Sequence, residues 1–188
     1  MGKTAAETGA RARTRRAILD AAISVLSRNP AASLGDVAAA AGMGRTTVHR
    51  YFPERSDLLS AIAADMLDKI GAATERARPG EGPADEVLDR LCQEYFELGD
   101  GLQLVFDEPQ VASGQEWEAE TDADRALLAL VRRGQAEGTL DPEVDPRWAQ
   151  AVLWSLLYSA WQHIREHGAS KHDALGLCRR TLRKALAP

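Results

Sequence analysis

Apolar residues in this chain recur at intervals of three and four positions, and no stretch alternates between apolar and polar residues over a useful length. Intervals of three and four place side chains on one face of an α-helix, whereas alternation is typical of a β-strand. The pattern therefore predicts an all-α protein of about nine helices. They are expected near 14–28, 34–41, 45–52, 56–77, 84–98, 102–106, 121–138, 147–167 and 171–186.

The second and third predicted helices are joined by a turn of only a few residues. Ser33 precedes the second helix, and Asp36 follows three positions later, which is the spacing of a capping box. Gly42 suits the end of that helix, and Pro53 ends the third one. A helix, a short glycine turn and another helix are the arrangement of a helix-turn-helix motif, whose second helix enters a DNA groove.

The stretch 43–53 has one apolar and one polar side. Val48 and Phe52 are four positions apart and share one side of a helix, while Thr46 and Arg50 point the opposite way. Such a helix can bury one side against its own domain and present the other to a groove. We therefore predict that this stretch is the recognition helix of a DNA-binding protein.

Basic residues are concentrated at the beginning of the chain, although the net charge is −5. Residues 1–55 contain nine Lys or Arg and four Asp or Glu, whereas the remainder contains 14 basic and 24 acidic residues. This distribution suits one polyanion-binding face; the alternative is a chance segregation of solvated charges. We predict a flexible basic tail over 1–12, a helix-turn-helix DNA-binding domain over 13–55, and a ligand-binding and dimerisation domain over 56–188.

The composition favours a cytoplasmic protein. The two cysteines, Cys92 and Cys178, are far apart and in no paired spacing, so they are interpreted as small apolar core residues of a reducing compartment. The chain has no apolar run of 18 residues and no hydrophobic secretory signal at its beginning. It also lacks the G-x-S-x-G, Walker and dinucleotide-binding patterns. We therefore expect neither a cofactor nor an enzymatic activity.

Residues 33–59 resemble the DNA-binding region of the TetR family of transcriptional regulators. The resemblance rests on Asp36-Val37-Ala38, on Ala41-Gly42, and on Tyr51-Phe52-Pro53 with a basic residue and Leu-Leu behind it. By position, it implies contacts to DNA from this region. The residues expected at base edges are Arg45, Thr46, His49 and Arg50, and those expected at phosphates are Ser33, Thr47, Tyr51 and Arg55.

The common pattern of the family is broken at three positions of the recognition stretch. Gly44 stands where Ser usually caps the helix, Arg45 where small residues are frequent, and His49 where Tyr is common. Arginine can bond guanine bidentately, and a threonine methyl can contact thymine, so the general mode is chemically sound. We expect this protein to recognise an operator sequence of its own.

The resemblance also implies a mode of regulation. A homodimer would bind a palindromic operator, because one short helix contacts few base pairs and two half-sites lie about 34–36 Å apart. A small-molecule effector that binds better to a different spacing of the two recognition helices would release the DNA. The alternatives are an activator, or a helical small-molecule-binding module without a DNA-binding role.

The predicted C-terminal domain contains the candidate residues for dimerisation and for effector binding. Its last two helices, near 147–167 and 171–186, are long and apolar, and the resemblance implies that they form the homodimer. Leu153, Leu156, Leu157, Ala160, Ile164, Leu175, Cys178 and Leu182 belong to the core or to the dimer interface. An aromatic stripe is more often core than ligand site, but the resemblance implies a cavity here. The candidate effector-binding residues are Tyr95, Phe96, Phe106, Trp117, Trp154, Tyr158 and Trp161.

A pattern known from metal enzymes occurs at the end of the helix near 147–167. His163, Glu166 and His167 match H-x-x-E-H, and two histidines four apart on a helix can share a metal. A metal-sensing site would add His172. The alternative is that histidines are favoured at a helix C-terminus by the helix dipole. No third-ligand motif follows, so we predict no metal site.

Overall fold

The computed structural model describes residues 2–108, 110–111, 117 and 119–188, with side chains from residue 9 onward. This part of the chain contains helices and no strand, which confirms the predicted all-α class. The helices are α1 (Gly2–Leu26), α2 (Leu34–Ala40), α3 (Arg45–Tyr51), α4 (Arg55–Arg76), α5 (Ala84–Phe96), α6 (Gly99–Asp107), α7 (Asp122–Glu137), α8 (Pro146–His167) and α9 (Lys171–Leu186).

The first helix begins much earlier than the hydrophobic pattern predicts. It starts at Gly2, so the structure contains a helix where the sequence predicts a flexible tail over 1–12. The segment is rich in alanine and contains no proline, and such residues extend a helix readily once its later turns are anchored. The Thr14 hydroxyl donates to the carbonyl of Ala10 across this junction, at 3.0 Å. The apolar stripe thus marks only the later part of α1, which contributes to the hydrophobic core.

The sixth helix also begins before its predicted start. The glycines after α5 are expected to interrupt the helix, yet α6 begins at Gly99 itself. Gly99 has a φ of +51°, which allows the chain to change direction and resume a helix at once. Of the irregular loop predicted over 110–120, residues 112–116 and 118 lie outside the described residues.

The chain divides into two compact units, and the division differs from the predicted boundary at residue 56. One unit contains Met1–Met66 and Asp100–Glu118, and the other contains Leu67–Gly99 and Ala119–Pro188. Helix α4 therefore contributes its first part to the first unit and its last part to the second. The segment around α6 belongs with α1, α2 and α3, although the sequence predicts it in the C-terminal domain.

The first unit has one hydrophobic core, to which α1, α2, α3, α4 and α6 contribute. Burial of each such side chain stabilises the fold by about 1.5–3 kcal/mol. An ion pair ties α1 to α4 at the edge, because Arg16 contacts both Asp20 and Asp65. The buried members include Ile18, Leu26, Val37, Val48, Phe52, Leu58, Ile62, Met66 and Leu104.

The second unit is built from the end of α4 with α5, α7, α8 and α9. Helix α7 begins with a capping box in which the Thr121 hydroxyl accepts from the Asp124 N–H, and it ends at Gly138 in the left-handed conformation. Both ends agree with the prediction from sequence. No helix among the described residues is sufficiently long and apolar to cross a lipid bilayer.

Candidate functional site

Helix α3 presents one polar face to solvent, as the pattern of the recognition stretch predicts. Val48 and Phe52 face the core, with exposed fractions of 0% and 2%. The predicted base-contacting residues all lie on the exposed side, whereas two of the predicted phosphate-contacting residues, Thr47 and Tyr51, are half-buried beside it. The exposed side chains are Arg45, Thr46, His49 and Arg50.

Helix α2 is fixed by the capping box that the sequence predicts. The Ser33 hydroxyl accepts from the backbone N–H of Asp36, and the Asp36 carboxylate accepts from the Ser33 N–H at 2.7 Å. Donation from the Ser33 backbone and hydroxyl lowers the pKa of Asp36, with a smaller contribution from the charge of Arg45. Ser33 is exposed, so its predicted phosphate contact has to share the hydroxyl with this cap.

Arg45 lies against the beginning of α2. A Cβ atom at Gly35 would stand only 3.1 Å from Arg45 Nε, so the guanidinium occupies the space that the missing side chain leaves. The nearby carboxylate of Asp36 attracts it, as the effect on the Asp36 pKa indicates. Arg45 is therefore held at one end of the exposed face of α3.

His49 is oriented by the end of its own helix. Its Nδ1 lies 3.3 Å from the carbonyl oxygen of Pro53, which can only accept, so Nδ1 carries the hydrogen. In the neutral ring, Nε2 is then a hydrogen-bond acceptor. The exposed edge of His49 thus offers an acceptor to any group that meets α3.

Two arginines of α1 extend the basic surface beside α3. Arg11 lies over the Tyr51 ring, with 5.8 Å between the guanidinium carbon and the ring centroid, and Arg50 lies 5.7 Å from the same ring. Arg15 lies 5.5 Å from the ring of Phe52. The four-residue spacing of Arg11 and Arg15 predicts that they share a helix face. That face reaches the recognition helix because α1 begins earlier than the sequence predicts.

Arg55 has an internal role that the sequence does not predict. Its guanidinium donates to the carbonyls of Pro30 and Ala32, in the connection before α2, and lies 4.0 Å from the carboxylate of Glu108. The side chain thus joins α4 to the loop that positions α2. Its contact with a phosphate stays a prediction.

The second unit contains five of the predicted effector-binding residues and brings four of them together in two aromatic pairs. Tyr95 stacks on Trp154 with 4.7 Å between ring centroids, and Phe96 lies 6.2 Å from Trp161. The Trp161 indole N–H donates to the Phe96 carbonyl at 3.3 Å. Tyr158 lies one turn further along α8 than Trp154 and is half-buried.

The Tyr95 hydroxyl continues this cluster towards α4. It lies 2.7 Å from the Thr74 hydroxyl, which itself donates to the carbonyl of Ile70. Tyr95 therefore donates to Thr74, and burial raises the pKa of Tyr95 to about 12. Thr74 also lines an open cavity of about 680 Å³ between α4 and α7. The charged residues that line this cavity are Glu75, Arg78, Glu81 and Asp122.

The remaining two aromatics of the predicted set belong to the first unit. Trp117 packs against its hydrophobic core, and Phe106 is exposed on α6, with 41% of its surface accessible. Phe106 and Trp117 therefore belong to a different compact unit from the aromatic pairs of α5 and α8. Their aromatic character is the same, but the sequence contains no signal for the unit in which each one packs.

Two histidines lie side by side at the end of α8. The rings of His163 and His167 lie 5.3 Å apart between centroids. Among the described residues, no group of three or more His, Cys, Asp or Glu is arranged to hold a metal ion. The predicted alternative set with His172 is therefore not assembled.

Comparisons with known proteins agree with this geometry. A model of the bacterial regulatory proteins of the tetR family matches residues 18–62, from α1 into α4. Over 168 residues, the chain is 45% identical to the HTH-type transcriptional repressor LfrR of Mycolicibacterium smegmatis, covering 89% of this chain and 87% of that protein. The chain belongs to the TetR family of bacterial regulatory proteins. It is thus a transcriptional regulator, as the resemblance of residues 33–59 implies.

A solved structure of a TetR-like regulator extends the similarity to about nine tenths of the chain. The crystal structure of LfrR from Mycobacterium smegmatis in complex with proflavine has a TM-score of 0.76 and 40% identity, covering 90% of this chain and 95% of that one. FadR from Bacillus subtilis in complex with stearoyl-CoA has a TM-score of 0.65 and 19% identity, covering 89% and 95%. The second likeness shows the fold alone.

The recognition helix of this TetR-family protein begins without a side-chain cap. Gly44 has φ −69° and ψ 145°, and a Cβ atom there would meet nothing within 4 Å. We expect Gly44→Ser to raise the free energy of unfolding by about 0.5–1 kcal/mol, because the hydroxyl can accept from Thr46 or Thr47 N–H and the unfolded chain loses freedom. Thermal denaturation measures the effect.

The matched control for this substitution is the preceding glycine of the turn. Gly42 has a φ of +65° and is equally open. Gly42→Ser is therefore expected to lower the free energy of unfolding by about 1–2 kcal/mol, the cost of a left-handed conformation for a residue with a Cβ atom. Equal effects of the two substitutions would contradict the capping argument.

Proposed function

We propose that this protein is a homodimeric repressor of the cytoplasm that binds a palindromic operator and is released by a small-molecule effector. The observation that carries the proposal is the exposed polar face of α3, with Arg45, Thr46, His49 and Arg50 on one side and Val48 in the core. A helix of this kind fits the major groove of B-DNA. The relative LfrR is itself named a repressor.

The proposed base contacts follow from the groups on this face. Arg45 and Arg50 can each donate two hydrogen bonds to O6 and N7 of guanine. The acceptor at His49 Nε2 suits the exocyclic amine of cytosine or adenine, because both are donors in the major groove. The methyl group of Thr46 can contact that of thymine. Together these groups favour an operator half-site that contains G·C pairs.

The proposed phosphate contacts surround that face. Ser33, Thr47 and Tyr51 offer hydroxyl or backbone donors at the ends of α2 and α3, and such contacts fix the register of the protein on the duplex. Arg11 and Arg15 of α1 add positive charge beside Tyr51 and Phe52. We therefore include these two arginines in the proposed DNA surface, with Arg55 as the residue that positions it.

The proposed dimer interface lies on α8 and α9. The helices enclose a shallow apolar groove of about 230 Å³, lined by Leu156, Ala160, Leu177 and Thr181 among others. Leu177 is exposed and Leu156 half-buried, whereas Leu153, Leu157 and Leu182 are buried within the protomer. The burial therefore favours Leu156 and Leu177 for the interface and assigns the other leucines to the core.

The proposed effector is a planar aromatic cation. The relative LfrR was crystallised with proflavine, which has this chemistry. In the second unit, the half-buried Trp154, which stacks on the buried Tyr95, offers flat aromatic surface, and aromatic rings attract cations. The cavity beside Thr74 carries Glu75, Glu81 and Asp122 against Arg78, an excess of negative charge. Its volume of about 680 Å³ is within the range of small-molecule sites.

The test of this function is binding of the purified protein to the DNA flanking its own gene. We expect a mobility shift with a palindromic segment there, with an affinity that falls steeply as salt is raised, because phosphate contacts release counterions. Proflavine should release the complex. Binding without any preference for the palindrome would contradict a sequence-specific repressor. An intact complex at saturating proflavine would contradict the proposed effector class alone.

A further inference from the structure

The two cysteines of the chain meet in the core of the second unit. Cys92 of α5 and Cys178 of α9 are separated by 86 positions, yet their Sγ atoms lie 3.6 Å apart. Both side chains are buried, with exposed fractions of 0% and 3%. The sequence contains no other cysteine. The interpretation of the cysteines as independent core residues is therefore incomplete, because the fold makes them neighbours.

The distance between the sulfurs is close to that needed for a covalent bond. A disulfide has an S–S length of about 2.05 Å, so the two atoms have to approach by roughly 1.5 Å. Bond formation therefore requires rotation of the two cysteine side chains, with a small shift of α9 where rotation alone does not suffice. No other residue has to be removed from between them, since the two thiols are already in hydrogen-bond contact.

One of the two thiols, Cys178, also borders a groove of the protomer, although only 3% of its own surface is exposed. Cys178 lines the groove between α8 and α9, together with Ala160, His163 and Ala174. This groove belongs to the face that we propose as the dimer interface, so hydrogen peroxide, which is little larger than water and fits a groove of about 230 Å³, reaches Cys178 when that interface opens. Donation from the Cys92 thiol lowers the pKa of Cys178, whereas that hydrogen bond and burial raise the pKa of Cys92. Cys178 is therefore the thiol that ionises first and attacks.

We propose that Cys92 and Cys178 form an oxidation site, which hydrogen peroxide closes to a disulfide between α5 and α9. The Cys178 thiolate attacks one peroxide oxygen, the O–O bond breaks, and the released hydroxide takes a proton to leave as water. The sulfenic acid formed on Cys178 is then attacked by the Cys92 sulfur, and a second water leaves. Two thiols lose two electrons in total, and one peroxide molecule is reduced to two water molecules.

The disulfide would be a reversible covalent bond between two helices of the second unit. Disulfides in proteins of reducing compartments are usually transient and respond to oxidants. A bond between α5 and α9 closes a long loop of the chain, and such closure stabilises the folded state against the unfolded one. The oxidised protein is therefore expected to melt about 5 °C or more above the reduced protein.

The test is mass spectrometry of the full-length protein after exposure to hydrogen peroxide and quenching. We expect a loss of 2 Da per chain (two hydrogens) and a tryptic product in which peptide 91–125 is joined to peptide 172–179 within one chain. Dithiothreitol should restore both the mass and the lower melting temperature. Cys92→Ala and Cys178→Ala, each of which keeps one thiol, should show neither change.

Three outcomes would overturn the proposal. The first is persistence of both thiols under peroxide concentrations that oxidise an exposed cysteine of a control protein. The second is a disulfide between two chains, detected as a dimer on a non-reducing gel, in place of the bond within one chain. The third is an oxidised protein that melts at or below the temperature of the reduced protein, since that would mean that the bond distorts the native contact. The measurements on the wild-type protein suffice for all three, even if one alanine variant fails to fold.

Discussion

Arg50→Ala is expected to weaken binding to the operator about 10- to 100-fold at constant salt, the loss of about one bidentate arginine–base contact. Arg50 is exposed on the proposed DNA face of α3, where its guanidinium carbon lies 5.7 Å from the centroid of the Tyr51 ring. Its removal should leave the melting temperature within about 1 °C, because exposed substitutions of this kind change stability little. Fluorescence anisotropy with the operator and with a scrambled duplex measures the effect.

The control variants separate base recognition from charge and from folding. Arg180→Ala removes the same charge from an exposed position on α9 and should leave both affinities nearly unchanged. Arg55→Ala should lower the melting temperature instead, because the carbonyls of Pro30 and Ala32 lose their shared donor. An equal loss of affinity for operator and scrambled DNA would contradict a base contact by Arg50 and make it a phosphate contact.

Trp154→Ala is expected to weaken the binding of proflavine about 10- to 100-fold, because a large aromatic surface beside Tyr95 is lost. Trp154 is half-buried, so part of its ring can meet a ligand. Trp154→Phe keeps a smaller ring and should have an intermediate affinity. Titration of proflavine fluorescence, below the melting temperature of each variant, gives the dissociation constants.

The chain offers a matched control for this variant on the same helix. Trp148 lies in the first turn of α8 and is 66% exposed, so Trp148→Ala should bind proflavine as the unchanged protein does. If Trp154→Ala also binds normally, the effector does not use the stack of α5 and α8. The aromatics of the first unit, Phe106 and Trp117, would then be the next residues to substitute.

The local signals of the chain predicted most of the helices and the exposed face of α3. Ser33 and Thr121 mark helix beginnings because their hydroxyls bond backbone groups only two or three residues away. Gly138 and Gly168 mark helix ends for an equally local reason, since each adopts a left-handed conformation there. Val48 and Phe52 predicted the buried side of α3 by their spacing alone.

The sequence was less informative wherever a side chain acts on a distant partner. Arg55 has the same charge as Arg50, but it holds carbonyls of a loop 23 and 25 positions away, whereas Arg50 stays exposed. Arg45 rests in the space left by Gly35, and nothing in the spacing of the two residues indicates that. The extent of α1 was also missed, because the first part of the helix carries no apolar stripe in its sequence.

By itself, then, the sequence determined the all-α class, the caps and ends of most helices, the recognition helix and the family. Those properties depend on residues within about one helical turn of one another, or on a motif that the chain carries contiguously. Only the tertiary structure decided the boundary within α4, the assignment of Phe106 and Trp117 to the first unit, and the meeting of Cys92 with Cys178. These depend on how separate helices pack, and hydrophobic periodicity specifies a buried face without specifying its partner.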